Sequence, residues 1–362
     1  MKKLTTLLLA LVVILVMSGC SNKGNKAPEA NGDTAKSPYA GRTLSVYNWS
    51  YYIDPEVITA FEKKYGVKVV YDIYDSNEQL FAKLKAGATG YDIVVPSGDY
   101  VSIMIKEGML APIDKAKIPN MNNIDPMVFN KTTFDKGNVY SVPYFMGGTG
   151  IAVNKAALEK AGIKYNKDDS IFEIAQLKGK ITLLDDMREV MGHALKALGY
   201  SVNTTNKDEL EKAKQLVLKW KKNALRFDSE SFSKLFAQGE VWVVQCYAEN
   251  VMRELDDTQR ANAEFFIPPC GGPMYIDSMC ILKDSQNQDL AHEFINFIHE
   301  PQNYAKIVDF LGYPSINTAA NQYVTKKTNY ELSQLANSEL KEDIGESIET
   351  YNKVWEDIRI KN

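Results

Sequence analysis

Histidine and cysteine are scarce in this sequence: there are three histidines and four cysteines in 362 residues. His193, His292 and His299 share no metal-ligand spacing with the cysteines, so a zinc-type cluster is excluded as a reading. His292 and His299 lie two turns apart on a predicted helix and read as part of a solvated face. With Cys20 set aside, Cys246, Cys270 and Cys280 remain, an odd number that gives no disulfide framework. Three buried thiols fit, as does one pair with a thiol left over. There is no Gly-rich phosphate loop, no G-x-S-x-G elbow and no internal repeat. No cofactor, metal or catalytic machinery is therefore expected. An excess of positive charge is missing as well. The formal net charge is −4, and removing Lys2 and Lys3 with a leader makes it −6. A mildly acidic body argues against nucleic acid as a partner and is compatible with a cationic ligand.

The one long apolar run, residues 7–16, is too short for a membrane span, which takes roughly 20 residues. Lys2 and Lys3 precede it and Met17-Ser18-Gly19 follows, which together form a secretory leader. Small residues directly before Cys20 match the bacterial lipobox. Residues 1–19 are thus expected to be removed, leaving Cys20 as a lipid-anchored first residue. The protein is expected outside the cytoplasm, in a periplasm or on a cell surface, held on a bacterial membrane. Residues 20–39 are polar, with almost no large apolar side chain, and read as a flexible tether.

From residue 43 short β-rich runs alternate with amphipathic helices. A strand over 43–48 is followed by Asp54-Pro55, a cap and first helical residue, with Gly66 as the stop. A strand over 67–71 precedes Ser76-Asn77-Glu78-Gln79, which has capping-box form. YDIVVP at 91–96 reads as a strand covered on both faces. The β/α alternation implies a mainly parallel sheet. After the extended, glycine-paired segment 139–154 a second α/β series begins. Two such units suggest two lobes with a ligand cleft between them. The expected division is 40–146 with 276–315 for one lobe and 147–275 with 316–362 for the other.

Five places near strand ends carry chemistry. Trp49-Ser50-Tyr51-Tyr52 offers rings beside a hydroxyl, either a ligand platform or core packing. Ser97-Gly98-Asp99 is either a ligand contact or a helix cap. Asp186 and Glu189, three apart at a helix start, form a near capping box, and the residues alone favour the cap. Tyr247 follows a strand, with Glu249 nearby. Tyr275 and Asp277 point to one side of a strand. Asp277 is flanked by Met274, Ile276, Met279 and Ile281, so its burial is costly without a cationic partner. Aromatic faces with carboxylates suit an organic ammonium ion.

At these same places the chain resembles the periplasmic spermidine/putrescine-binding proteins of bacterial ABC transporters. The segments that carry the resemblance are YNWSYYIDP from Tyr47, YDIVVPSGDYV from Tyr91 and YSVPYFMGGTGIAVN from Tyr140. They continue with LLDDMREVMGHALKALGYSVNTT from Leu183, GGPMYIDSM from Gly271 and LGYPSIN from Leu311. The resemblance implies an α/β, two-lobed periplasmic-binding-protein (type II) fold with a hinged interlobe cleft. It implies Trp49 and Tyr52 as aromatic walls, with Ser50 beside them and Ser97 as a polar contact. Asp186 and Glu189 would hold one amino end, despite their capping pattern. Asp277 would hold another amine, with Tyr275 beside it and Tyr313 closing the site. Departures from the family pattern are Tyr51 in place of an acid, Asp99 in place of an aromatic, and Tyr247 and Tyr275 in place of tryptophans. Lys341 falls where a glutamine is usual, and a lysine there would repel an ammonium ion or occupy its place.

The expected protein is a receptor, not an enzyme, that captures putrescine or spermidine by hinge closure and presents it to an ABC transporter permease. The alternatives are a same-fold receptor for another solute, a polyamine sensor, or a hydrolase working through a carboxylate pair.

Overall fold

The structure, a computed structural model, describes residues 37–360. The expected leader, Cys20 and tether residues 20–36 lie outside the described residues. Tyr39 packs edge-on against Tyr65, with ring centroids 6.0 Å apart. No helix among the described residues is long and apolar enough to cross a membrane.

Eleven strands form among the described residues: β1 (Thr43–Trp49), β2 (Lys68–Tyr74), β3 (Ile93–Val94), β4 (Ser141–Gly148), β5 (Gly150–Asn154) and β6 (Ile181–Leu183), followed by β7 (Ala224–Phe227), β8 (Val243–Cys246), β9 (Ala263–Phe266), β10 (Pro273–Ile281) and β11 (Glu339–Leu340). They make two sheets. One runs β11-β10-β3-β1-β2 with β4 on β10, and the other runs β7-β6-β8-β5-β9. The mainly parallel expectation needs correcting to mixed. β10 is antiparallel to β3 and β4, and β5 is antiparallel to β8 and β9. In the first sheet the strand antiparallel to β3 and β4 is β10, the one that returns to it after the second sheet is built.

Local signals account for the helix boundaries. Asp54 caps the Pro55–Tyr65 helix by accepting from the Glu56 N–H, and Gly66 ends it at φ 66°, a left-handed turn that glycine adopts without a Cβ clash. Ser76 accepts from the Gln79 N–H at 3.1 Å. The Gln79 side chain turns to the Asp75 N–H instead of closing a full capping box.

Both faces of the first sheet are covered. Leu44 and Val46 of β1 join the larger core, while Tyr47 faces a smaller cluster with Leu80, Val101 and Met104. That alternation is the period of two of a strand. On the larger side Phe61 meets Phe294 at 5.0 Å between centroids, which docks the Pro55–Tyr65 helix on the Gln288–Ile298 helix. Around the second sheet the Met187–Ala197, Lys207–Lys221 and Ile348–Ile360 helices pack on one another. The chain crosses between sheets at Thr149, directly between β4 and β5, and again between β9 and β10.

Only Ile93–Val94 of YDIVVP pairs as a strand. The Val95 carbonyl is instead taken by the Trp49 Nε1–H at 2.8 Å and the Tyr74 hydroxyl at 2.6 Å. The solvated-face reading of His292 and His299 is wrong. They are 4% and 0% exposed, because this helix is covered around most of its circumference: Leu290, Ala291, Phe294, Ile295, Phe297 and Ile298 are buried along with them. His292 Nε2 accepts from the Asp114 N–H at 2.9 Å. His299 stacks on Tyr304, and burial pushes its imidazole down to about 3. Cys246, Cys270 and Cys280 are free thiols, with Cys270 partly exposed.

Candidate functional site

Asp277 sits on β10 where the β4–β10 register shifts, between Asp277 and Ser278. The bulge re-aims the side chain away from the regular ladder. Its carboxylate is buried and accepts from Ser97 Oγ at 2.6 Å and from the Tyr52 hydroxyl at 2.7 Å. Burial raises this carboxyl to about 6, against the opposing pull of Ser97, Tyr52 and the more distant Lys341 charge. Ser97 stands at the cap position of the Gly98–Lys106 helix but makes no side-chain cap bond. Its hydroxyl serves Asp277 instead, so the side-chain cap reading of this residue does not hold.

From Asp277 a wall of tyrosines extends outward. Tyr52 meets Tyr313 edge-on, with centroids 5.8 Å apart. The Tyr313 and Tyr275 hydroxyls are hydrogen-bonded at 2.7 Å. Tyr275 in turn meets Tyr247 edge-on at 5.8 Å. The paired glycines of 147–148 owe part of their presence to this wall. Gly147 is the register partner of Tyr275, and a Cβ there would lie 2.4 Å from the Tyr275 hydroxyl oxygen. Beside the wall is Glu249, partly exposed. Its carboxyl is pushed up to about 7, chiefly by burial and against the Tyr313 hydroxyl.

A second acidic group lies at the start of the Met187–Ala197 helix. Asp186 caps this helix, accepting from the Glu189 N–H at 3.0 Å. Glu189 is fully buried. One of its oxygens accepts from the Thr149 hydroxyl and the other from the Lys341 ammonium. Burial alone would raise Glu189, but Lys341 and then Thr149 hold it below its ordinary value. Burial leaves Asp186 raised even with Lys341 nearby, and the same holds for Asp99. Lys341 itself is held above its ordinary value by Glu189, Asp186 and Asp99, which outweigh its burial. Tyr247 links the two acidic groups: burial first, then the charges of Glu189, Asp186 and Glu249, raise its phenol.

The structure thus joins Tyr52, Ser97 and Asp277 directly, Tyr247, Tyr275 and Tyr313 by ring and hydroxyl contacts, and Asp186 with Glu189 through the cap. Asp99 is half-buried and accepts from the Tyr100 N–H at 3.0 Å, while its charge reaches Lys341 and Asp277. Trp49 is half-buried, its ring lying against Tyr74 at 4.7 Å. Ser50 is half-buried beside it and outside the bonded network. Thr149 is the functional neighbour that sequence reasoning missed. Its one visible sign is its place in the glycine-rich turn GGTG. Among the described residues no group of three or more His, Cys, Asp or Glu side chains is arranged to hold a metal ion. The chemistry offered is recognition of cations by buried carboxylates and ring faces.

Residues 56–334 match the family model described as bacterial extracellular solute-binding protein. The chain is 33% identical over 336 residues to the putrescine/cadaverine-binding protein of Pseudomonas aeruginosa, covering 89% of this chain and 95% of the relative. It is 34% identical to the spermidine/putrescine-binding periplasmic protein of Escherichia coli, covering 91% and 95%. Among solved structures, a lipoprotein of Treponema pallidum superposes with a TM-score of 0.85 at 45% identity, covering 88% of this chain and 100% of that one. These likenesses agree with the two-lobed α/β fold read from the sequence.

Proposed function

This chain belongs to the bacterial extracellular solute-binding proteins, and on that footing we propose that it captures an aliphatic polyamine between two lobes and delivers it to an ABC transporter permease. The observation that carries this reading is Asp277: a buried carboxylate whose hydrogen bonds come from two hydroxyls, at one end of a tyrosine wall. A carboxylate raised by burial gains most from a cation brought to it. The relatives named above are putrescine, cadaverine and spermidine binders, which agrees with that chemistry.

Trp49, Ser50, Tyr52, Ser97, Asp99, Asp186, Glu189, Tyr247, Tyr275, Asp277 and Tyr313 make up the proposed binding set. The lobes are taken as 40–146 with 276–315 and 147–275 with 316–362, closing about the segments where the chain passes from one to the other. Closure removes water from the site and strengthens each charge contact. No covalent chemistry is involved. The mature protein is anchored through Cys20, in keeping with the lipoprotein nature of the Treponema pallidum relative. The tether keeps the receptor at high local concentration near its transporter.

Calorimetry with putrescine, spermidine, glutamate and maltose tests the ligand class. At least one amine binds at micromolar concentration and neither control does; failure of both amines at that concentration sinks the reading. Labelled palmitate incorporated into the wild type and lost in Cys20→Ala tests the anchor.

A further inference from the structure

The Asp186–Glu189 end of the cleft already contains an ammonium group, and it belongs to the chain. Lys341 follows β11, and its backbone N–H donates to the Met274 carbonyl at 3.1 Å, so its Cα is tied to the same strand that carries Asp277. Its side chain is only 15% exposed and ends on a carboxylate that is fully buried. The other Glu189 oxygen is taken by Thr149. An incoming ammonium ion that displaced Lys341 would leave one buried cation without its partner, and a buried unpaired charge is strongly unfavourable. Asp99 and Asp186 lie within the field of the same lysine. At the opposite end, Asp277 is served by hydroxyls.

We infer that Lys341 is a specificity-determining residue: a resident ammonium that fills the Glu189 end of the cleft, shortens the usable site and selects a diamine over a longer triamine. The inference rests on the polyamine reading given above. Four carboxylates, Asp99, Asp186, Glu189 and Asp277, face one lysine, a net of three negative charges that accommodates a dication, so the discrimination comes from where Lys341 sits and not from the total charge. A diamine places one ammonium at Asp277 and the other short of Lys341, where Asp99 and Asp186 remain. A triamine of greater length brings its third ammonium against Lys341, and like charges a few ångströms apart in a water-poor cleft repel strongly.

Calorimetric titration of putrescine and spermidine into wild type, Lys341→Gln and Lys341→Arg, each checked by thermal melting, tests this. Wild type binds putrescine about tenfold or more tighter than spermidine, a difference of roughly 1.4 kcal/mol. Lys341→Gln tightens spermidine about tenfold relative to putrescine, and Lys341→Arg keeps the diamine preference. Equal or tighter binding of spermidine by wild type overturns the inference without needing any variant. So does a Lys341→Gln protein in which both affinities move by the same factor. Either result leaves the polyamine reading standing, whereas binding of neither amine by any of the three proteins overturns both.

Discussion

Ser97 and Asp277 are joined twice: their backbones pair in an isolated antiparallel bridge, and Ser97 Oγ donates to Asp277 Oδ1 at 2.6 Å. The bridge holds the two Cα atoms at sheet spacing, so the hydroxyl and the Tyr52 hydroxyl fix the carboxylate's direction before any ligand arrives. That pre-organisation comes from residues 180 apart in sequence.

The first prediction concerns the charge at this point. Asp277→Asn keeps the shape and one accepting oxygen, reverses the other hydroxyl contact so that the amide N–H donates to the hydroxyl oxygen, and removes the negative charge. Amine affinity falls about tenfold or more, roughly 1.4 kcal/mol or above, as read by calorimetry. Unchanged affinity removes Asp277 from the site.

The second concerns pH in the ligand-free protein. Asp277 and Glu249 are raised to about 6 and about 7 from ordinary values of 3.8 and 4.5. A carboxyl with a folded value above its unfolded one favours the folded state while protonated. Its contribution is fully present below the unfolded value and is lost as pH rises through the folded one. Stability from these two groups therefore increases as pH is lowered from about 7.5 toward 4.5. For Asp277 the difference over this window amounts to roughly 2 kcal/mol, and urea denaturation of wild type against Asp277→Asn isolates it. Amine affinity follows the opposite course and weakens over the same fall in pH, because the ammonium ion binds the ionised form. A wild-type stability slope identical to that of Asp277→Asn would contradict this.

Much of the site was legible because its signals are local. The Asp54 cap, the Pro55 start and the Gly66 stop lie within one helix, and Asp186 and Glu189 lie within one turn. What stayed hidden depends on distance in sequence. Glu189 reads as a capping residue until Thr149, 40 positions before it, and Lys341, 152 after it, arrive at its two oxygens. The strand expected over 91–96 shrank because side chains of Trp49 and Tyr74 claimed the Val95 carbonyl, a competition no local pattern reveals. His292 and His299 share a helix face, as their spacing says, but that spacing carries no information about which face is covered.

A third prediction concerns a contact between elements of the two sheets. Arg253, on the Ala248–Glu254 helix after β8, donates to the Tyr51 carbonyl at 3.2 Å and lies 4.8 Å from the centre of its ring. Tyr51 follows β1 and holds φ at 55° with 68% of its surface exposed. The contact joins a loop of the first sheet to a helix of the second, so under the proposed hinge closure it holds the two lobes together. An exposed cation–ring contact contributes about 0.5–1 kcal/mol. Arg253→Ala is therefore expected to release amine roughly two- to fivefold faster in a stopped-flow displacement experiment. Unaltered release would show that the contact has no part in holding the lobes together.

The fourth prediction concerns Thr149, which lies at a crossing between the sheets and is fixed through three of its atoms. Its N–H donates to the Pro273 carbonyl at 3.1 Å, its carbonyl meets His193 Nε2 at 3.0 Å, and its hydroxyl donates to Glu189. His193 is in turn held at Nδ1 by Asp169 at 3.1 Å. Thr149→Val preserves shape and both backbone contacts while taking one donor from a fully buried carboxylate. Leaving a buried acceptor underserved costs about 1–3 kcal/mol, so Thr149→Val lowers unfolding free energy by that amount in urea. Thr149→Ser restores the donor and loses only a methyl group, about 1 kcal/mol or less. If the valine and serine variants are equally stable, the hydroxyl does not support Glu189, and the link from the crossing to the acidic end of the cleft is broken.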